Sequence, residues 1–174
     1  MDISNYFLET NYFQWDANAL IQYVEALPAD SWSRETDVMP CVKLSGYEPE
    51  ILKVTKEMAV DFTISLNELY IVKLKANSVL GKHSDSPRKV SFNFPLIGDF
   101  DSAYVKFYVN DALPPNYNLV TSDPLYMKKD KITLLRVEND HSFHNPTNND
   151  IILLNLSITD NWDTAKSVVL SKSS

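Results

Sequence analysis

Histidine is confined to three positions, His83, His141 and His144, so imidazole chemistry is possible only around two short blocks of the chain. His83 opens the triplet His83-Ser84-Asp85 at the end of a stretch with strand character. Side chains two apart on a strand point to the same side, so this imidazole and this carboxylate can face one ion. The second block is His141-Ser142-Phe143-His144-Asn145-Pro146, which can add another imidazole. Two imidazoles and one carboxylate form a facial triad, which leaves the other face of the ion open and suits a reactive non-haem Fe(II) centre. His141 and His144 are separated by an odd number of residues, so on a strand only one can join. Spacing alone leaves that choice open. Taken alone, His83-Ser84-Asp85 reads equally well as an exposed turn, and it is the second block that favours a metal site.

Elements that could hold such a site follow from the hydrophobic pattern. From Leu69 onward, short runs of β-branched and aromatic residues alternate with Pro, Asn, Asp, Ser and Gly clusters. Strands are expected at 69–75, 78–83, 89–96, 102–109, 131–138, 141–145 and 151–158, a spacing that suggests a sandwich or barrel. Ahead of them, Asp16 is placed to cap a helix over 16–27, where Ala17, Leu20, Ile21, Val24 and Leu27 fall at helical spacing before Pro28. Pro49 suits the first turn of a second helix carrying Ile51, Leu52, Val54, Met58 and Ala59. The repeated Asn-Tyr-Phe at 5–7 and 11–13 reads as aromatic packing, and Trp15, Trp32 and Trp162 as core or rim packing. The stretch Asn110 to Pro124, with Pro114 and Pro115, is the longest credible loop and the candidate cover of a pocket mouth. The expected organisation is one domain: a helical support segment over 1–68, a β core over 69–160 and a tail over 161–174, frayed at its end.

Composition bounds the function. The chain is 44% hydrophobic and 11% aromatic, enough apolar side chain for a real core. A single cysteine, Cys41, makes neither an internal disulfide nor a thiolate zinc site. The net charge of −7 argues against non-specific nucleic-acid binding. Asp2, Glu9, Asp16, Glu25 and Asp30 all precede the first basic residue, Arg34, so the remainder is nearly balanced and able to accept a small anion. With no signal-like or membrane-spanning apolar run, the expected location is cytoplasmic.

The block Val79-Leu80-Gly81-Lys82-His83-Ser84-Asp85, the following Lys89-Val90-Ser91-Phe92-Asn93-Phe94-Pro95-Leu96, and the His141 block followed by Ile151 to Ile158 stand in a definite order. In that order, over about residues 69–158, the sequence resembles the Fe(II)- and 2-oxoglutarate-dependent oxygenases, in particular the aspartyl/asparaginyl and prolyl hydroxylase-like branches. The resemblance implies a mainly β, double-stranded β-helix (jelly-roll, cupin-like) fold with two N-terminal supporting helices. It implies Fe(II) held by His83, Asp85 and His141, with His144 turned away and Phe143 and Asn145 facing inward with His141. It further implies a dioxygenase that couples decarboxylation of 2-oxoglutarate to hydroxylation of a small-molecule or peptide substrate. In the family a basic residue near the start of the last strand anchors the far carboxylate of 2-oxoglutarate, and the matching position here is Ile151, with no Lys or Arg between Asn145 and Asp160. Substitute contacts are sought in Arg88, just after the metal motif, in Arg136, before His141, and in Lys106, with Asn93 as a polar neighbour. Arg is favoured for its two-pronged grip on a carboxylate. Alternation sets Tyr104, Lys106 and Tyr108 on one face and Val105, Phe107 and Val109 on the other, which counts against Lys106. Two other functions fit the same elements: a cupin-like metal enzyme that does without 2-oxoglutarate, and a non-catalytic interaction domain on the same scaffold.

Overall fold

Strand β5, Val90–Ile97, shows how the sequence builds the fold. Its Val90, Phe92, Phe94 and Leu96 are fully buried on one face, while Ser91 and Asn93 are buried on the other. A strand covered on both sides belongs in the middle of a layered structure. The computed structural model describes residues 2–11, 15–33, 37–46, 48–85, 87–110 and 119–172. In chain order, its strands are β1 Phe7–Thr10, β2 Cys41–Lys43, β3 Ile64–Leu74, β4 Ser78–His83, β5, β6 Tyr104–Asn110, β7 Leu119–Thr121, β8 Leu125–Tyr126, β9 Ile132–Leu135, β10 His141–Asn145 and β11 Ile151–Ile158. Its α-helices are α1 Ala17–Glu25, α2 Pro49–Met58 and α3 Trp162–Lys172.

Two antiparallel sheets face each other. One has the order β1-β9-β5-β11-β3-β2, and the other the order β4-β10-β6-β7, with β8 also pairing β6. The outer face of the six-stranded sheet, with Phe92, Phe94, Leu154 and Leu156, packs in one apolar cluster with Leu20 and Val24 of α1, Ile51, Val54 and Met58 of α2, and Trp162, Ala165 and Val169 of α3. Its inner face shares a second cluster with the other sheet, in which Ile151, Leu153 and Leu135 meet Val105, Phe107 and Phe143. This mainly β, jelly-roll arrangement is the expected fold class.

The expected strands and the two helices are present with shifted ends. Asp16 caps α1 by accepting from the Ala19 N–H at 3.0 Å, and Pro49 sits in the first turn of α2. Three expectations need correction. The N-terminal segment is not only helical support, because β1 pairs with β9 and β2 with β3, widening the first sheet. The segment after residue 160 is not a tail but helix α3, whose Trp162, Ala165 and Val169 are buried. Of the expected loop from Asn110 to Pro124, residues 111–118 lie outside the described residues, while Leu119–Thr121 form β7 against β6. Gly98 has φ +117°, and an added Cβ would come within 2.6 Å of the Ile151 side chain. Glycine there lets the chain lie against the start of β11. Among the described residues, no helix is long and apolar enough to cross a membrane.

Candidate metal centre

His83 closes β4 and His141 opens β10, and the antiparallel register sets them directly opposite each other, with ring centroids 4.4 Å apart. Asp85 lies just beyond β4. Its backbone N–H donates to the Val137 carbonyl at 2.9 Å, which turns the carboxylate back toward the two rings. The ligating atoms of His83, Asp85 and His141 all lie within 4.8 Å of one another. Asp85 Oδ1 is 3.6 Å from His83 Nε2, and its Oδ2 is 3.9 Å from His141 Nε2.

The second ring nitrogens explain which atoms face the centre. His83 Nδ1 lies 2.7 Å from the Gly81 carbonyl, and His141 Nδ1 lies 2.9 Å from the Asn139 carbonyl. A carbonyl only accepts, so each Nδ1 carries the proton and each Nε2 offers its lone pair. Backbone carbonyls thereby fix tautomer and ring orientation, the supporting shell that metal-bound histidines use. Burial holds the pKa of His141 below its ordinary value, opposed by its bond to the Asn139 carbonyl and by the Asp85 charge. Neutral imidazole is the form that binds a metal. Two imidazoles and a carboxylate on adjacent strand ends fit a divalent first-row ion such as Fe(II).

His144 is on the other face of β10. Its ring stacks on Tyr104 at 4.5 Å, and its Nε2 is 2.8 Å from Ser142 Oγ. Phe143 faces inward, as does Asn145, whose amide donates to the Leu74, Lys75 and Asn149 carbonyls.

Of the four expected co-substrate contacts, Arg88 and Asn93 line the cavity beside the triad. Arg88 Nη2 lies 2.8 Å from Asp85 Oδ2, and its Nη1 donates to Asn155 Oδ1 at 3.1 Å. Asn155 in turn donates to Asn93 Oδ1 at 2.7 Å, and Asn93 donates to Ser91 Oγ at 3.0 Å. Arg136 is elsewhere, paired with Glu138 at 2.7 Å. Lys106 lies on the outer face of the second sheet, 5.6 Å from the Tyr104 ring centre, while Val105 and Phe107 take the inner face. Asn155 was not anticipated. The signal was present, since Asn155 and Asn93 each interrupt an apolar strand in the inward phase, and the register makes them partners.

The cavity has a volume of about 60 Å³, and Leu80, Val105, Phe143 and Leu153 share its lining with the triad. Ile151 is 1% exposed within the same apolar cluster. The second carboxylate of 2-oxoglutarate finds no cation at Ile151. A wider depression of about 500 Å³, lined in part by Glu25, Trp32, Asp37 and Lys73, lies away from the triad.

No protein-family model and no curated protein sequence matches the chain. Solved structures do match in fold. HygX from Streptomyces hygroscopicus, with nickel, 2-oxoglutarate and hygromycin B bound, aligns with a TM-score of 0.65 at 13% identity over 90% of this chain and 84% of that one. The viral collagen prolyl hydroxylase vCPH from Paramecium Bursaria Chlorella virus-1, as a 2-oxoglutarate complex, aligns at 0.57 and 13% identity over 88% and 95%. A prolyl-4-hydroxylase from Pseudomonas putida aligns at 0.56 and 10% identity over 90% and 94%. The fold is that of the 2-oxoglutarate and Fe(II) oxygenases.

Proposed function

We propose that this protein is an Fe(II)-dependent dioxygenase of the 2-oxoglutarate oxygenase type, which hydroxylates a small-molecule or peptide substrate. The observation that carries this reading is the convergence of His83 Nε2, His141 Nε2 and the Asp85 carboxylate, with both Nδ1 protons committed to backbone carbonyls. These three groups would hold the ion, which when bound supplies activation of molecular oxygen. Arg88 orients the Asp85 carboxylate through its 2.8 Å contact. Leu80, Val105, Phe143 and Leu153 give the adjoining cavity an apolar wall. Prolyl hydroxylases among the structures of like fold support that branch, while the aspartyl/asparaginyl branch rests on the sequence motifs alone. HygX with hygromycin B and a Trichoplax adhaerens prolyl hydroxylase with a peptide fragment keep both substrate classes open.

Anaerobic titration with Fe(II) is the test. His83→Ala, Asp85→Ala and His141→Ala should each lose at least about tenfold in affinity, or ~1.4 kcal/mol. His144→Ala should bind as the wild type does. Undiminished affinity in the His83 variant overturns the reading.

A further inference from the structure

We infer that the co-substrate of this site is a monocarboxylic 2-oxo acid with an uncharged side chain, preferred over 2-oxoglutarate. This rests on the oxygenase reading above and names the co-substrate class of that site. A 2-oxo acid chelates a metal through its carboxylate and adjacent keto oxygen, so its side chain points away from the ion. Toward solvent lie the exposed edge of His83 and the Asp85–Arg88 pair, the side from which a substrate must approach. The cavity lined by Leu80, Val105, Phe143 and Leu153 offers the co-substrate tail an inward direction.

That cavity is mainly apolar, with Arg88, Ser91, Asn93 and Asn155 as its polar walls besides the triad. Leu80 from β4, Val105 from β6, Phe143 from β10 and Leu153 from β11 line it, with Ile151 beyond. Leu153 is 2% and Ile151 1% exposed. A carboxylate placed among them would lose its hydration with no partner in return, which is strongly unfavourable. Arg88 is the one lysine or arginine on the cavity wall among the described residues. Its three nitrogens already face Asp85, Asn155 and, at 3.7 Å, Glu68. Asn93 and Asn155 are likewise committed to each other.

The reaction balances with such a co-substrate. The bond between its keto carbon and its carboxyl carbon breaks, releasing carbon dioxide. One atom of molecular oxygen joins the keto carbon to give the acid one carbon shorter. The other enters a C–H bond of the substrate as hydroxyl. Co-substrate and substrate each supply two of the four electrons.

The test is an anaerobic titration of the full chain, loaded with Fe(II), with 2-oxobutyrate and with 2-oxoglutarate, read by the charge-transfer absorption of the metal complex. The expected result is at least about tenfold tighter binding of 2-oxobutyrate. Equal or tighter binding of 2-oxoglutarate overturns this inference and leaves the oxygenase reading standing. Failure to bind Fe(II), or Fe(II) binding without absorption from either acid, overturns both. In Ile151→Lys, checked for folding by circular dichroism, the preference should move toward 2-oxoglutarate by about tenfold. An unchanged preference in the folded variant overturns the inward placement of the tail.

Discussion

Arg88 holds Asp85. The guanidinium Nη2 lies 2.8 Å from Asp85 Oδ2, with side chains 21% and 15% exposed, so a candidate metal ligand carries a structural ion pair. The arrangement keeps the carboxylate from being an unpaired negative charge in a half-closed site when no cation is bound. It also restricts the rotamers from which Asp85 can reach the two imidazoles.

Removing the guanidinium should therefore cost most in the metal-free protein. Arg88→Met is expected to destabilise that form by about 1–3 kcal/mol, the penalty of leaving a largely buried polar partner unmatched. A divalent cation on the triad would compensate the Asp85 charge in the variant. Urea unfolding with and without Mn(II) checks this, and a loss just as large with the metal present would refute it.

Asn155 and Asn93 form the next link, with Arg88 donating to Asn155 and Asn155 to Asn93. Asn155→Leu leaves the Asn93 carbonyl and one Arg88 N–H without partners, for an expected loss of about 1–3 kcal/mol. Replacing both asparagines by Leu removes the orphaned amide, so the double variant should be less destabilised than the sum of the single variants. A double-mutant cycle by denaturant unfolding measures that difference. Strict additivity would mean that the amides do not act as a pair.

The sequence made the centre of this structure legible and its edges not. β5 and β11 could be found because burial on both faces leaves a nearly continuous apolar run. The His83-Ser84-Asp85 triplet was readable because it lies at a strand end, although Asp85 reaches the rings through a bond to Val137 that no local pattern encodes. β1 was missed because Phe7, Leu8 and Glu9 are half-buried at a sheet edge. Its strand character comes from pairing with β9, distant in sequence. The same limit hid the isolation of Arg136. Its neighbours Leu135 and Val137 line the cavity while Arg136 pairs with Glu138, an outcome that depends on strand phase.

Helix α3 gives a prediction about the other core. Trp162 is 2% exposed and packs with α1, α2 and the outer face of the six-stranded sheet, in a cluster separate from the metal side. Trp162→Ala should cost about 3–5 kcal/mol, as large aromatic truncations in cores do. Its Nε1 is buried with no hydrogen-bond partner among the described residues, so Trp162→Phe forfeits no hydrogen bond seen there and should cost clearly less. Calorimetry gives the stabilities, and Fe(II) affinity of the folded fraction should be unchanged in both.

His144 supplies a pH dependence that separates it from His141. Partial burial, with a smaller contribution from the Lys106 charge, lowers its pKa from the ordinary 6.5. The surrounding groups are Tyr104, stacked at 4.5 Å, and Ser142, which also lies 2.9 Å from the Tyr108 hydroxyl. No carboxylate is seen among these contacts to favour the imidazolium. A histidine whose pKa is depressed on folding binds its proton more readily in the unfolded chain. Its contribution to stability is present above the unfolded value and is lost as the pH falls through the folded one. Unfolding of the metal-free protein at pH 7.5 and pH 5 should thus show a smaller acid-induced loss in His144→Gln than in the wild type, while carboxylate titrations affect both alike. The NMR titration of the His144 ring should have its midpoint below 6.5. A midpoint above that value would mean that the imidazolium finds a partner on this face, and the sign of the stability effect would reverse.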